Sequence, residues 1–214
     1  FKTFITTFII SLLVITPYLI RNYNTFGKIT LVKSIGYNLW KGNNQFSSVD
    51  GYICLSEKCL KAHTTEAFIA LNIYEKIEKL PKDTLYDFHH DELFLQEALQ
   101  YIKKEPAVFI QRYIKKVLTF YYFNIRSNYP NYYHPLFIIP IFLTSILSSL
   151  GIVISLKSLN FEKSYLLLYL FLTILIISVF FILPRYKIAI LPIQIIFMNY
   201  FFLELYEKLS KSKR

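Results

Sequence analysis

The sequence predicts an all-α integral membrane protein: about four transmembrane helices with a mostly helical extracytoplasmic insertion between the first and second. Three observations predict it. Hydrophobic residues make up 54% of the 214 and aromatic residues 18%, with a mean hydropathy of +0.38, more apolar than a soluble domain of this length. The apolar residues are gathered into blocks of about 20, the length a ~30 Å hydrocarbon core asks of a helix. The blocks lack the alternation of barrel strands, and backbone in lipid must satisfy its own hydrogen bonds, which leaves the helix.

The first block covers residues 4–20 within a transmembrane segment at 1–20. It carries no small-residue cleavage site of a signal peptide, since Pro17-Tyr18-Leu19-Ile20-Arg21 is bulky and ends in charge. Because the chain starts at Phe1 inside an apolar pattern, it is expected to be a piece of a longer protein with helices before it. The other blocks, at 135–156, 164–183 and 188–206, make residues 135–206 three transmembrane helices, with a basic tail at 207–214. The connection at 157–163 and the tail are both basic and an even number of crossings apart, so the positive-inside trend makes both cytoplasmic. Residues 21–134 and the turn Pro184-Arg185-Tyr186-Lys187 then lie outside. Two cations in so short an outer turn run against that trend; charges at membrane depth serve function, or snorkel to headgroups.

The net charge is +10, from 24 Lys and Arg against 14 Asp and Glu. Nucleic-acid binding asks for cations interleaved with aromatics along one groove. Here the cations flank membrane segments, so the expected partners are membrane lipid and lipid phosphate, with no nucleic acid.

The outer region opens with a polar run, within residues 17–44, that holds Arg21, Asn22, Asn38, Trp40, Asn43 and Asn44. Such a run suits a site for a charged or sugar-bearing ligand, or an interfacial loop anchored by Tyr18, Tyr23 and Trp40. Cys54 and Cys59 form a disulfide on an oxidising face or stay as thiols. His63 beside them lacks the further ligand zinc wants, so no metal site is expected. Residues 64–80 carry a moderate helical pattern ended by Pro81. From Asp91, the residues Leu93, Leu95, Ala98, Leu99 and Ile102 share one helix face. Pro106 starts a second helix, whose Phe109, Ile110, Tyr113, Ile114, Val117 and Leu118 oppose Arg112, Lys115 and Lys116. A basic amphipathic helix of this kind lies in a membrane interface. His89-His90-Asp91-Glu92 is contiguous, not spaced i, i+4 as metal ligands on a helix are, and reads as an exposed first helical turn.

Three stretches carry a resemblance. Pro17-Tyr-Leu-Ile-Arg-Asn-Tyr, then Phe26-Gly27, then Gly36-Tyr-Asn-Leu-Trp-Lys-Gly-Asn-Asn44 is similar to a "P-W-x-x-R-N…F-G…G-x-N-L-W-x-G-N-N" run. Glu97-Ala-Leu-Gln-Tyr-Ile-Lys-Lys-Glu-Pro106 with Lys116 resembles an amphipathic segment before a later membrane helix, and Arg185-Tyr186-Lys187 leading to Pro192 resembles "R-Y-R-x-P…P". Together they resemble the C-terminal portion of bacterial GT-C-type glycosyltransferases, the group of protein O-mannosyltransferases and aminoarabinose transferases (glycosyltransferase family 39-like).

The resemblance implies transfer of a sugar from a polyprenyl-phosphate-linked donor to an extracytoplasmic acceptor, at a bacterial inner membrane. It assigns the donor phosphate to Arg185 and Lys187, with Arg21 as a second grip, since guanidinium binds phosphate bidentately and fixed cations stabilise a leaving phosphate. It assigns sugar or substrate contacts to Asn22, Asn38, Trp40, Asn43, Asn44 and Tyr186. The family's catalytic carboxylate lies in a first external loop that this chain does not cover; Asp50, Glu57, Glu66, Asp91 and Glu92 do not match it. No catalytic residue is therefore assigned, the chain is expected to be inactive alone, and no cofactor is expected. A divalent metal in the complete enzyme, and whether the acceptor is lipid, protein or glycan, stay open. Two other readings stand beside this one. One is a non-catalytic membrane scaffold with an external partner-binding domain. The other is a lipid-linked sugar transporter, for which broken helices in repeated halves are wanting apart from Pro140 and Pro192.

Overall fold

A computed structural model describes residues 2–51, 72–73, 75–127 and 131–212. The expectations for Cys54, Cys59, Glu57, His63, Glu66 and most of 64–80 lie outside the described residues. Those described form helices and no strands: α1 (Lys2–Phe26), α2 (Ile35–Gly42), α3 (Tyr86–Lys104), α4 (Pro106–Tyr121), α5 (Pro135–Ser155), α6 (Phe161–Ser178) and α7 (Leu191–Ser212). Short 3-10 turns occupy Leu156–Ser158 and Pro184–Ala189.

Among the described residues three helices are long and apolar enough to cross a membrane: Ile5–Phe26, Pro135–Ser158 and Phe161–Ser178. The first runs past Arg21, where the sequence expectation had ended it, and carries Pro17 in its interior. Its Phe8, Leu13 and Val14 are exposed, as are Leu136 and Val153 on α5 and Phe171 on α6, an outward apolar surface of the kind that water does not tolerate in large patches. The fourth expected span, α7, falls outside that set. Gln194, Asn199, Glu204 and Glu207 dilute its apolar character.

Pro106 sits at the first turn of α4 as expected, where the missing N–H is not needed. Asp91, read as an exposed first-turn charge, has a different task. Its two carboxylate oxygens accept the N–H groups of Gly36 (3.0 Å) and Tyr37 (2.9 Å), the first turn of α2. Ser34 at the N-cap makes no side-chain cap bond, so the missing acceptor is supplied by α3 from 55 residues away. Helices α2 and α3 thereby close on a core of Leu39, Trp40, Phe94 and Ala98, with Ile73 and Ile77 beneath.

A second core holds the bundle: Phe120 from the end of α4, Leu170 and Ile174 from α6, Ile193 and Phe197 from α7, with Ile182 and Ile190 between. Helix α5 meets α7 through Ser145, Ser148, Gly151 and Ser155, all buried. Small residues at that spacing let two helix backbones approach closely. A Cβ on Gly151 would overlap the Phe197 carbonyl. Ser145 and Gln194 bond the same carbonyl, Tyr121 O, at 2.9 and 3.0 Å, while Gly151 meets Phe197. Both contact points advance together along the chain, so α5 and α7 run in the same direction, side by side.

Gly151→Val should therefore force these helices apart. Overpacking of this kind costs about 1–3 kcal/mol, and thermal unfolding in a non-ionic detergent should show a lowered midpoint, whereas Gly151→Ala should fall between it and the parent.

Candidate functional site

The site is built where α4 ends. A helix terminus leaves carbonyls without intrahelical donors, and inside an apolar bundle they must be met by side chains. Tyr121 O receives Ser145 Oγ from α5 (2.9 Å), Gln194 Nε2 from α7 (3.0 Å) and Lys187 Nζ from the 184–189 turn (3.0 Å). Lys187 also donates to Tyr122 O. The hydroxyls of Tyr121 and Tyr122 reach Ser148 (2.8 Å) and Ser149 (3.0 Å) on α5.

The turn that buries Lys187 leaves Arg185 exposed, two residues earlier. Arg185 lines an apolar cleft of about 620 Å³ with Tyr132, His134 and Phe137 on one side and Pro184 and Ile188 on the other. His134 caps α5, its side chain accepting Leu136 N at 3.3 Å. The Tyr132 hydroxyl accepts Asn124 N at 2.7 Å. Burial raises the Tyr132 phenol above its ordinary range, opposed by that hydrogen bond, so the phenol stays neutral. Among the described residues no carboxylate lines the cleft to compensate the guanidinium charge. A cation at the mouth of an apolar slot is suited to an anion that carries an apolar body.

The other residues singled out from sequence divide into two groups. Asn38 and Tyr186 come together, lining a small cleft of about 230 Å³ with Phe180 and Phe181. Trp40 and Asn44 line another between α2 and α3, although Trp40 is only 7% exposed and packs on Phe94, ring centroids 4.8 Å apart. Asn22 and Asn43 are turned inward. Asn22 Nδ2 donates to Thr30 O (2.7 Å) and its Oδ1 accepts from Arg21 (3.1 Å). Asn43 donates to Leu39 O and Val179 O, both at 2.8 Å, and accepts Lys116 Nζ at 2.9 Å. Arg21 is exposed at the end of α1 and is not among the residues lining the Arg185 cleft. Lys187, expected beside Arg185 at the phosphate, instead has its ammonium on the α4 carbonyls.

Sequence reasoning missed Ser145, Gln194 and Lys116 as parts of this arrangement. The one available signal was a polar residue in each of two apolar helices, Ser145 and Gln194, which lipid-facing positions do not favour. Lys116 is 0% exposed. Burial, and to a lesser degree the positive charge of Arg112, lowers its pKa from 10.5 to about 7; burial does the same for Lys187, also to about 7.

A depressed lysine pKa means that the unfolded chain binds more protons than the folded one between the two values, so stability rises with pH across that window. Unfolding midpoints measured from pH 7 to pH 10 should climb, and Lys116→Met should flatten the climb. A Lys116→Met profile as steep as the parent's would show that burial does not penalise this ammonium.

Comparison with models of known protein families, with curated proteins and with solved structures returns no match.

Proposed function

We propose that this chain is the donor-side part of a membrane glycosyltransferase, binding a polyprenyl-phosphate-linked sugar at the Arg185 cleft and presenting it to an extracytoplasmic acceptor. The observation that carries the reading is the exposed guanidinium of Arg185 at the edge of an apolar cleft between the start of α5 and the 184–189 turn. A polyprenyl phosphate is an apolar chain with an anionic head, and the cleft offers both counterparts in that order. The resemblance of residues 17–44 and 185–192 to the GT-C pattern supports the same reading. Asn38 and Tyr186, which share a smaller cleft, are the polar groups offered to sugar hydroxyls, with Asn131 in the lining of the Arg185 cleft itself. Asn43, Asn22 and Lys187 act here as framework, holding α2, the end of α1 and the end of α4.

In this reading α7 is the fourth span. It lies along α5 in the same direction, so a bilayer crossed by α5 is crossed by its neighbour. Gln194 is tolerable there because its amide is engaged at Tyr121 O. Residues 157–163 and the basic tail then share the cytoplasmic side, and Arg185 faces outward.

Arg185→Ala should weaken photocrosslinking of a polyprenyl-phosphate-sugar probe roughly ten- to hundredfold, the worth of about 1.5–3 kcal/mol of charge-assisted bonding. Arg185→Lys should restore only part of it, lacking the bidentate fork. Undiminished crosslinking to Arg185→Ala would remove the donor site from this cleft. Topology is tested separately by single cysteines at Ser158, Ser210 and Ile188 in a chain whose native cysteines are replaced. The first two should label from one side of the membrane and the third from the other; labelling of Ser158 and Ser210 from opposite sides would strike out the fourth span.

A further inference from the structure

A second cleft, larger than the first at about 830 Å³, lies between α4, the 47–49 strand of chain after α2, and the segment that follows Tyr122. It plays no part in the reading above. Arg112, Lys115 and Thr119 line it from one face of α4, spaced i, i+3 and i+7, the spacing that stacks side chains along one side of a helix. Arg126 and Asn124 line the facing side.

Its charge is one-sided. Among the described residues three cations line the cleft and no carboxylate does. Asp50, the acid nearest in the chain, accepts the hydroxyls of Ser48 and Ser127, each at 2.7 Å, and does not line the cleft. Arg112 is held in place: its guanidinium donates to Asn44 O and to Gln45 O (3.0 Å) and lies over the Tyr101 ring. A guanidinium so anchored still has N–H groups to offer, already oriented. Lys115 and Arg126 are exposed and are engaged in no ion pair among the described residues.

Asn124 supplies an independent observation. It is only 6% exposed. Its Oδ1 accepts Arg126 N at 3.0 Å, and its backbone N–H is taken by Tyr132. Its Nδ2 is buried and finds no hydrogen-bond partner among the described residues. A buried donor without an acceptor is costly, and a native structure keeps one where something else supplies the acceptor. Here the orphaned donor belongs to a side chain that lines a cleft ringed by cations. The matching occupant is an anion with acceptor oxygens on several sides. The apolar part of the lining, Leu118, Phe123 and Ile125, can take an apolar substituent on it.

We propose that this cleft is a phosphate-binding site, separate from the Arg185 cleft, with Arg112, Lys115 and Arg126 supplying charge and Asn124 donating to a phosphate oxygen once a small shift of its side chain uncovers the buried Nδ2. The phosphate group belongs to a lipid head or to a phosphorylated molecule arriving from water, and the test tells these apart.

The full chain in dodecyl maltoside micelles, carrying Arg185→Ala so that the first cleft does not contribute, is titrated by calorimetry with inorganic phosphate and, separately, with dioleoyl phosphatidic acid. Saturable binding of at least one probe is expected. Binding of inorganic phosphate identifies a soluble source, and binding of phosphatidic acid alone identifies a headgroup. Lys115→Gln with Arg126→Gln, both exposed positions, should weaken binding at least tenfold at an unchanged unfolding midpoint. Asn124→Asp, which keeps the acceptor for Arg126 N and replaces the orphaned donor with a negative oxygen, should abolish it. No saturable binding of either probe, or equal binding by the doubly substituted protein, would overturn the proposal. Because donor crosslinking depends on Arg185 and this titration is made without it, either site can fail while the other stands.

Discussion

The carbonyl of Tyr121 is the point on which the arrangement depends. Three donors, from α5, the 184–189 turn and α7, converge on it: Ser145, Lys187 and Gln194. A helix end brought into an apolar bundle is unfavourable unless its last carbonyls are met, and each unmet group there costs several kcal/mol by rough estimate. Meeting them ties an amphipathic helix, otherwise free to lie anywhere along an interface, to one depth and one orientation. Ser145 is ten residues into α5, so the end of α4 sits about 15 Å along that helix from its start. From there Lys116 reaches Asn43, and Asn43 reaches Val179. The outer helices are thus joined to the bundle by a second buried polar chain.

The two clefts follow from that placement. The chain leaving α4 has to return to the start of α5, and it does so with Asn124 and Tyr132 bonded to one another. Residues 122–126 line the cationic cleft on one side of this return, and residues 131–134 line the Arg185 cleft on the other. Neither cleft belongs to a single helix face. Each is a by-product of where the α4 terminus is held, so substitutions at Ser145 or Gln194 would move both without touching either.

Sequence reasoning read the parts whose determinants are local. Apolar blocks of sufficient length predict helices because lipid leaves no alternative, and α1, α5 and α6 are long and apolar enough to cross. Pro106 marked the start of α4, because a proline ring fits a first helical turn better than a later one. The failures share a cause. Asp91 looks like a surface charge until α2 is folded against α3, when it becomes that helix's cap. The asparagines near residue 40 look like ligands for a sugar, yet Asn43 has the carbonyl of Val179, just past α6, within reach. Amides and carboxylates bond whatever long-range packing brings near, and periodicity along the chain carries no record of that. The segment between Arg185 and Lys187 is the sharpest case. Sequence places two cations side by side, whereas a 3-10 turn sends one inward and one out.

Which type of cation went where is itself informative. The two lysines taken into the interior, Lys116 and Lys187, are groups that burial can discharge, and their pKa values fall to about 7. A guanidinium has no such recourse at any pH the protein meets. Arginines accordingly stand where the charge stays useful: Arg185 at the mouth of one cleft and Arg112 and Arg126 around the other. Exchanging the types would fail in both directions. An arginine at 187 would bring a permanent charge and a wider head to two carbonyls that a single ammonium already satisfies. A lysine at 185 would keep the charge but present a point donor in place of a planar fork, which can match two oxygens of one anion. Burial therefore separates Lys116 and Lys187, which hold this fold together, from Arg185, Arg112, Arg126 and Lys115, which stand at the clefts.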